Sequence, residues 1–180
     1  MKKILLVMAA LFCVATVSAQ KSVVETVKDS KWSAGLRVSN GIQGAAECFY
    51  SNNKYVEARF GLSVRKSYYG GWVALADFTA LHNWNCCNWN WTPDFATWFL
   101  DAGCGVNVGG CKNLAYVGAA GMVKFGMKFK KVPIRLAVDY TPVLGAQMVY
   151  GKNYLGENYC DAYFFSGGLT NFGLSATWCF

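Results

Sequence analysis

The chain has 180 residues, 54% of them hydrophobic, 16% aromatic and 15% charged, with a formal net charge of +7. This length and composition describe one folded domain and exclude a disordered chain. Charged side chains normally make up about a quarter of a soluble domain, so this low charge beside 7 Trp, 10 Tyr, 12 Phe and 19 Gly points to a surface that meets something other than water.

At the N-terminus Lys2 and Lys3 precede an apolar run from Ile4 to Val17, which ends at the small-residue site Val17-Ser18-Ala19. This is the anatomy of a secretory signal peptide, expected to span residues 1–19 and to be cut before Gln20. Cleavage removes Lys2, Lys3 and Cys13. No later stretch offers the roughly 18 apolar residues of a membrane-spanning helix, because Gly, Asn, Ser, Thr or a charge interrupts each run. The remaining charges are scattered. Their tightest group, Lys124, Lys128, Lys130 and Lys131, surrounds one turn and reads as a solvated turn, so no nucleic-acid partner is expected.

From Ser33 onward the dominant pattern is alternation of apolar with polar or small residues, the mark of strands with two unlike faces. Turn signals divide it into eight candidate strands, at 33–39, 43–51, 55–65, 72–84, 97–108, 114–129, 132–142 and 169–180. The contrast is clearest where Val56, Ala58, Phe60, Leu62 and Val64 alternate with Glu57, Arg59, Gly61, Ser63 and Arg65, and again from Val132 to Thr141. It is weakest in two places. The second strand sets Glu47 between Ala46 and Cys48, and the fourth loses phase around Ala74 to Asp77, where a bulge is expected. Several candidates reach ten residues, which at about 3.3 Å per residue and a tilt near 40° rise about 25 Å, the height of an outer-membrane apolar band. Alternation alone does not say which face points inward. The scarcity of charge, its confinement to one face and the aromatics Trp72, Trp84, Trp98, Tyr140, Trp178 and Phe180 near strand ends favour the membrane sense, apolar outward and polar into the lumen.

The last strand places Phe172, Leu174, Ala176, Trp178 and Phe180 at every second position and ends on Phe. This resembles the C-terminal signal of bacterial outer-membrane β-barrels, which the barrel assembly machinery recognises during biogenesis. Further segments extend the resemblance: Gly35-Leu36-Arg37-Val38, Tyr55 to Gly61, His82-Asn83-Trp84, Ala102 to Val106 and Val132 to Pro142, together with Val17-Ser18-Ala19-Gln20. They are similar to the small outer-membrane β-barrel, porin-like family of the Bacteroides group. The resemblance implies a fold and a location: a signal peptide (1–19), a periplasmic segment (20–32) and, over 33–180, an all-β, eight-stranded antiparallel transmembrane β-barrel of up-and-down meander in the bacterial outer membrane. It implies outer-membrane lipid as a partner and carries no chemistry with it.

In such a barrel the inward set is Arg37, Glu57, Arg59, Arg65, Asp101, Lys124, Lys128, Arg135 and Asp139, of both signs and expected to pair across strands, since unpaired charges in a narrow interior are costly. With both termini periplasmic, the connection from Asn83 to Phe95 is long for its side. The longest outward connection, Leu144 to Gly168, carries Tyr150, Tyr154 and Tyr159 among Gly and Asn, a recognition-like composition that could meet an extracellular ligand or host surface. Of the seven cysteines left after processing, Cys111 and Cys160 fall toward the outer connections and are the candidate disulfide. Cys86-Cys87 lacks metal-ligand spacing. His82 is the only histidine and has no nucleophile and acid grouped with it, so neither catalysis, metal nor cofactor is expected. The expected role is structural or surface interaction. The alternatives are a small pore for solutes and a secreted soluble barrel with a hydrophobic ligand inside.

Overall fold

The computed structural model describes residues 30–66, 71–152, 158–165 and 168–180. The expected signal peptide, and residues 20–29 of the segment that follows it, lie outside them. The strands are β1 (Trp32–Val38), β2 (Gly41–Ser51), β3 (Lys54–Lys66), β4 (Trp72–Thr92), β5 (Ala96–Cys111), β6 (Leu114–Phe129), β7 (Ile134–Tyr140), β8 (Val143–Lys152), β9 (Asn158–Phe165) and β10 (Phe172–Cys179). Every pairing is antiparallel between chain neighbours up to β7, and β1 closes on β10.

Ten strands make eight staves. β6 pairs with β7 from Lys128↔Arg135 to Val123↔Tyr140 and with β8 from Ala120↔Val143 to Leu114↔Val149, in one continuous register. The stave is interrupted only at Thr141-Pro142, where the imide has no N–H for the ladder, and the Gly121 N–H still donates to the Pro142 carbonyl at 2.9 Å. β9 and β10 share the next stave. Between Gly145↔Phe165 and Tyr140↔Phe172 six residues face four, and β10 takes up pairing on the same neighbouring stave as β9. The result is a closed eight-stranded antiparallel barrel in meander order.

Two expectations are corrected here. The segment 144–168 is not a long loop: most of it forms β8 and β9, a hairpin that carries the wall upward. Its polar, aromatic composition hid alternating strands, in which Tyr159 and Tyr163 pack inward beside Val149 and Leu114. The length of Asn83–Phe95 is explained the same way, since β4 continues to Thr92 and the turn needs only residues 93–95. The β8–β9 hairpin overtops its neighbour on the other side. β1 ends at Val38, and among the described residues β9 pairs with β8 alone.

Facing follows the period of two. On β10 Phe172, Leu174, Ala176 and Trp178 point out while Gly173, Ser175, Thr177 and Cys179 point in. On β3 Phe60 is 65% exposed, whereas Glu57 and Arg59 are 0% and 1% exposed. The apolar side chains thus form the outer surface and the polar ones the lumen, the reverse of a soluble barrel. The expected bulge around Ala74 to Asp77 is absent. Alternation holds through that stretch, with Leu75, Asp77, Thr79 and Leu81 inward and Ala74, Ala76 and Phe78 outward. Small outward alanines and inward leucines blurred the contrast without changing the phase.

The register shifts in β4 lie instead between Asn85 and Cys87 and between Trp89 and Thr92, and the first sorts the segment Asn85-Cys86-Cys87-Asn88-Trp89-Asn90-Trp91. Asn85 lies opposite inward Asp101 and Trp84 opposite outward Ala102. Past the extra residue, Asn88 lies opposite inward Phe99 and Trp89 opposite outward Trp98. Without it, Trp89 and Trp91 would enter the lumen and the asparagines would face out. The bulge therefore builds an outer aromatic cluster, with Trp91 5.4 Å from Trp89 and 5.5 Å from Trp98, and Trp98 5.6 Å from Phe125. Nearer the opposite rim Tyr140 stacks on Phe172 at 4.6 Å. Deleting Cys86 is expected to abolish the compact, fast-migrating form in unboiled gels, whereas Cys86→Ser preserves it. Equal folding of the two variants would refute the phasing role.

Candidate functional site: the charged lumen

Four cations and four anions alternate through the barrel interior as one connected chain: Arg37, Asp139, Arg59, Glu57, Lys124, Glu47, Arg135 and Asp101. Each comes from an inward position of β1, β2, β3, β5, β6 or β7, so the period of two delivers them and the register stacks them. Arg37 donates to Asp139 through Nη2 at 2.6 Å and through Nε at 2.9 and 3.0 Å. Arg59 Nη1 lies 3.4 Å from Asp139 and donates to Thr141 at 3.0 Å, while its Nε donates to Glu57 at 2.6 Å. Lys124 Nζ joins Glu57 at 2.7 Å to Glu47 at 2.8 Å. Arg135 closes the series with Glu47 at 2.6 Å and Asp101 at 3.0 Å.

Neutral donors fill the remaining acceptor positions. Asn83 Nδ2 donates to Glu57 at 3.0 Å, Tyr55 Oη to Asp101 at 2.7 Å, and Ser33 Oγ to Glu47. A branch runs from Arg37 Nη1 to Gln43 at 2.9 Å and from Gln43 to Asp77 at 2.5 Å; Asp77 also accepts from Tyr116 at 3.2 Å. The charges are buried, with Arg37, Glu57 and Asp101 fully so. Burial of an ion pair is tolerable only when geometry and extra hydrogen bonds replace the lost water, and this chain supplies both.

Glycines make the room. A Cβ on Gly173 would lie 2.6 Å from the Arg37 guanidinium, and one on Gly103 would lie 1.9 Å from Asn83 Oδ1. The wall opposite the charges is apolar, made of Leu81, Ala120, Met122 and Val143 and, higher up, Leu75, Leu114, Tyr116 and Val149. Charged and apolar groups together fill the middle of the lumen, as the width of an eight-stranded barrel requires.

Seven of the nine inward residues expected from the sequence, Arg37, Glu57, Arg59, Asp101, Lys124, Arg135 and Asp139, come together in this chain. Lys128 is half-buried in the lining of the terminal mouth. Arg65 belongs to β3, and its side chain lies outside the described residues. Sequence reasoning missed Glu47, Gln43 and Asp77. Parity could have found them: Glu47 and Gln43 share an inward face with Ala45, and Asp77 with Thr79 and Asn83. Of the terminal-signal residues, Phe172, Leu174, Ala176 and Trp178 line the outer face of β10, and Phe180 is exposed just past it.

Of the tyrosines assigned to an outer loop, Tyr150 is on β8, its hydroxyl donating to the Cys111 carbonyl at 3.1 Å, and Tyr159 is on β9, partly buried against the apolar interior cluster. Tyr154 lies outside the described residues. The disulfide expected between Cys111 and Cys160 is not formed. Both thiols are free; Cys111 packs on the interior cluster with Tyr159 and Tyr163, and Cys160, between them in period, points the other way. His82 sits on the outer face, its Nε2 bonded to the Tyr50 hydroxyl and its ring 4.6 Å from Trp84. Among the described residues no three His, Cys, Asp or Glu side chains gather in a metal-binding arrangement.

No family model, curated protein or solved structure matches the chain.

Lys124 is the most consequential single charge, because Glu47 and Glu57 are register partners on the adjacent strands β2 and β3 and it is the cation that bridges them. Lys124→Met is expected to lower stability by about 3–5 kcal/mol, read from the urea midpoint of the barrel in detergent, and addition of Glu57→Gln is expected to recover part of the loss. Gly173→Val is expected to be as damaging through the Arg37 guanidinium. Gly44→Ala, whose Cβ would meet only the Phe60 carbonyl oxygen at 3.7 Å, serves as the tolerated control.

Proposed function

We propose that the protein is an integral barrel of the bacterial outer membrane with a structural or surface-interaction role, and that it neither conducts solutes nor catalyses a reaction. The observation that carries this reading is the inversion of the barrel. The outward positions of β1, β7 and β10 are Trp, Ala, Leu, Val, Ile, Tyr and Phe without a charge, and the acids and bases of the same strands lie inside. In water such an exterior would be an apolar patch far beyond the few hundred Å² that soluble monomers expose. In a bilayer it is the required surface, and a closed barrel leaves few backbone groups unpaired within the hydrocarbon.

Further support comes from the aromatics. The Trp89, Trp91, Trp98 and Phe125 cluster lies toward the terminal rim and exposed Trp72 at the other, the places where amphipathic rings sit at a membrane interface. The signal-peptide pattern, the terminal Phe180 with its alternating partners and the resemblance to the porin-like family of the Bacteroides group agree with the same location. The barrel assembly machinery would be the partner during biogenesis and lipid the partner afterwards. A surface-interaction role would fall to the rims, where the β8–β9 hairpin stands above its neighbour.

Fractionation tests the location. Protein in the outer-membrane fraction that runs faster unboiled than boiled in SDS is the expected outcome, and protein confined to the aqueous fraction without a heat shift would overturn the proposal. In planar bilayers the purified barrel is expected to be electrically silent, since buried charged and apolar side chains occupy the middle of the lumen. Steady conductance would overturn the non-conducting role.

A further inference from the structure

At the end where β1 begins and β10 finishes, the lumen widens into a cavity of about 690 Å³. Its volume lies within the roughly 300–1,000 Å³ of small-molecule sites, and its lining is chemically lopsided. Phe49, Tyr55 and Phe99 contribute to the walls, Arg135 lies at the inner end, and Lys31, Lys54 and Lys128 approach the mouth. Among the described residues Asp101 is the one acid in the lining, and its acceptor positions are taken: Tyr55 and Arg135 on Oδ2 at 2.7 and 3.0 Å, Asn85 on Oδ1 at 2.7 Å. Lys31 and Lys54 are exposed, and among the described residues no carboxylate forms an ion pair with either.

The inner end is fixed in place. The Arg135 guanidinium lies 4.2 Å from the Phe99 ring centre, 5.1 Å from Phe49 and 5.4 Å from Tyr55, while its amino groups are held by Glu47 and Asp101. Three rings therefore surround a cation that cannot move away, and Phe49 and Tyr55 are themselves in contact, with centres 4.9 Å apart. An excess of positive charge in a concave site with low-dielectric walls focuses the field and concentrates anions. Flat aromatic walls accept a planar group by stacking, which adds to area burial.

We propose that this vestibule binds a small organic anion carrying a planar ring, with the ring against the half-buried Phe49 and the anionic oxygens toward Lys54 and Lys31. Carboxylate and phosphate head groups share this chemistry. The site depends on the lumen geometry alone and is independent of the compartment in which the barrel resides.

The test is titration of the isotope-labelled barrel in non-ionic detergent with benzoate, phenyl phosphate, benzyl alcohol and benzylamine, followed through backbone amide shifts. Benzoate or phenyl phosphate is expected to produce saturable shifts at Lys54, Thr97 and Phe99, and whichever of the two binds more tightly identifies the head group. Benzyl alcohol and benzylamine are expected to bind at least tenfold more weakly. The double variant Lys31→Ala/Lys54→Ala, on exposed positions outside the charge chain, is expected to weaken the anion at least fivefold, and Lys112→Ala at the opposite rim to leave it unchanged. If the double variant fails to fold, the single substitutions are read in the same way. Absence of saturation with both anions, equal affinity for benzylamine, or unaltered affinity in the lysine variants would each overturn the proposal.

Discussion

Lys124 holds Glu47 of β2 and Glu57 of β3 from the far wall of the barrel, at 2.8 and 2.7 Å, and this three-centre contact is the constraint around which the interior is arranged. It joins an upper group, Arg37, Asp139, Arg59 and Glu57, to a lower one, Glu47, Arg135 and Asp101. Charges of one sign alternate with the other along the whole series, so each ion is screened by its neighbours in place of water. Outside, the apolar side chains stand on the surface of the barrel. The specificity that a soluble protein draws from a jigsaw of hydrocarbon is here carried by charge-assisted hydrogen bonds, whose direction and length are less forgiving.

The backbone devices serve that interior. The bulge at Asn85–Cys87 keeps Asn85 within reach of Asp101 while sending Trp89 and Trp91 outward. The glycine at 173 leaves a seat for the Arg37 guanidinium. The break at Thr141-Pro142 falls where the Thr141 hydroxyl, a residue past the end of β7, turns to Arg59 and Asp139. Each of these three irregularities coincides with a residue of the charge chain or its flank.

Much of this was legible in the sequence wherever one face of a strand was wholly apolar. β3, β6 and β7 announce their facing through Phe60, Phe125 and Val138 against Arg59, Lys124 and Asp139, and the closed meander follows from their number and length. Legibility failed where size and polarity did not coincide with facing. β2 and β4 carry alanines outward and Ala45, Leu75 and Leu81 inward, so Glu47 and Asp77 looked out of place although their parity was correct. The β8–β9 hairpin failed for another reason: tyrosine, glycine and asparagine suit loops and amphipathic strands alike. What no periodicity encodes is the partner of each charge, because register across six strands decides it.

That register also shapes how such a chain can change over generations. A substitution on the outer face exchanges one apolar group for another and disturbs no neighbour's valence, so that surface can drift position by position. Inside, losing Arg37 strands part of Asp139, and losing Glu47 takes one of two carboxylate partners from Lys124 and from Arg135 together. Acceptable changes there must arrive in compensating sets, scattered across residues 37–139 of the chain. The interior is thus expected to change slowly and in covarying sets beneath a faster-changing skin, and relatives of this barrel are better sought by the order of their buried charges than by overall identity.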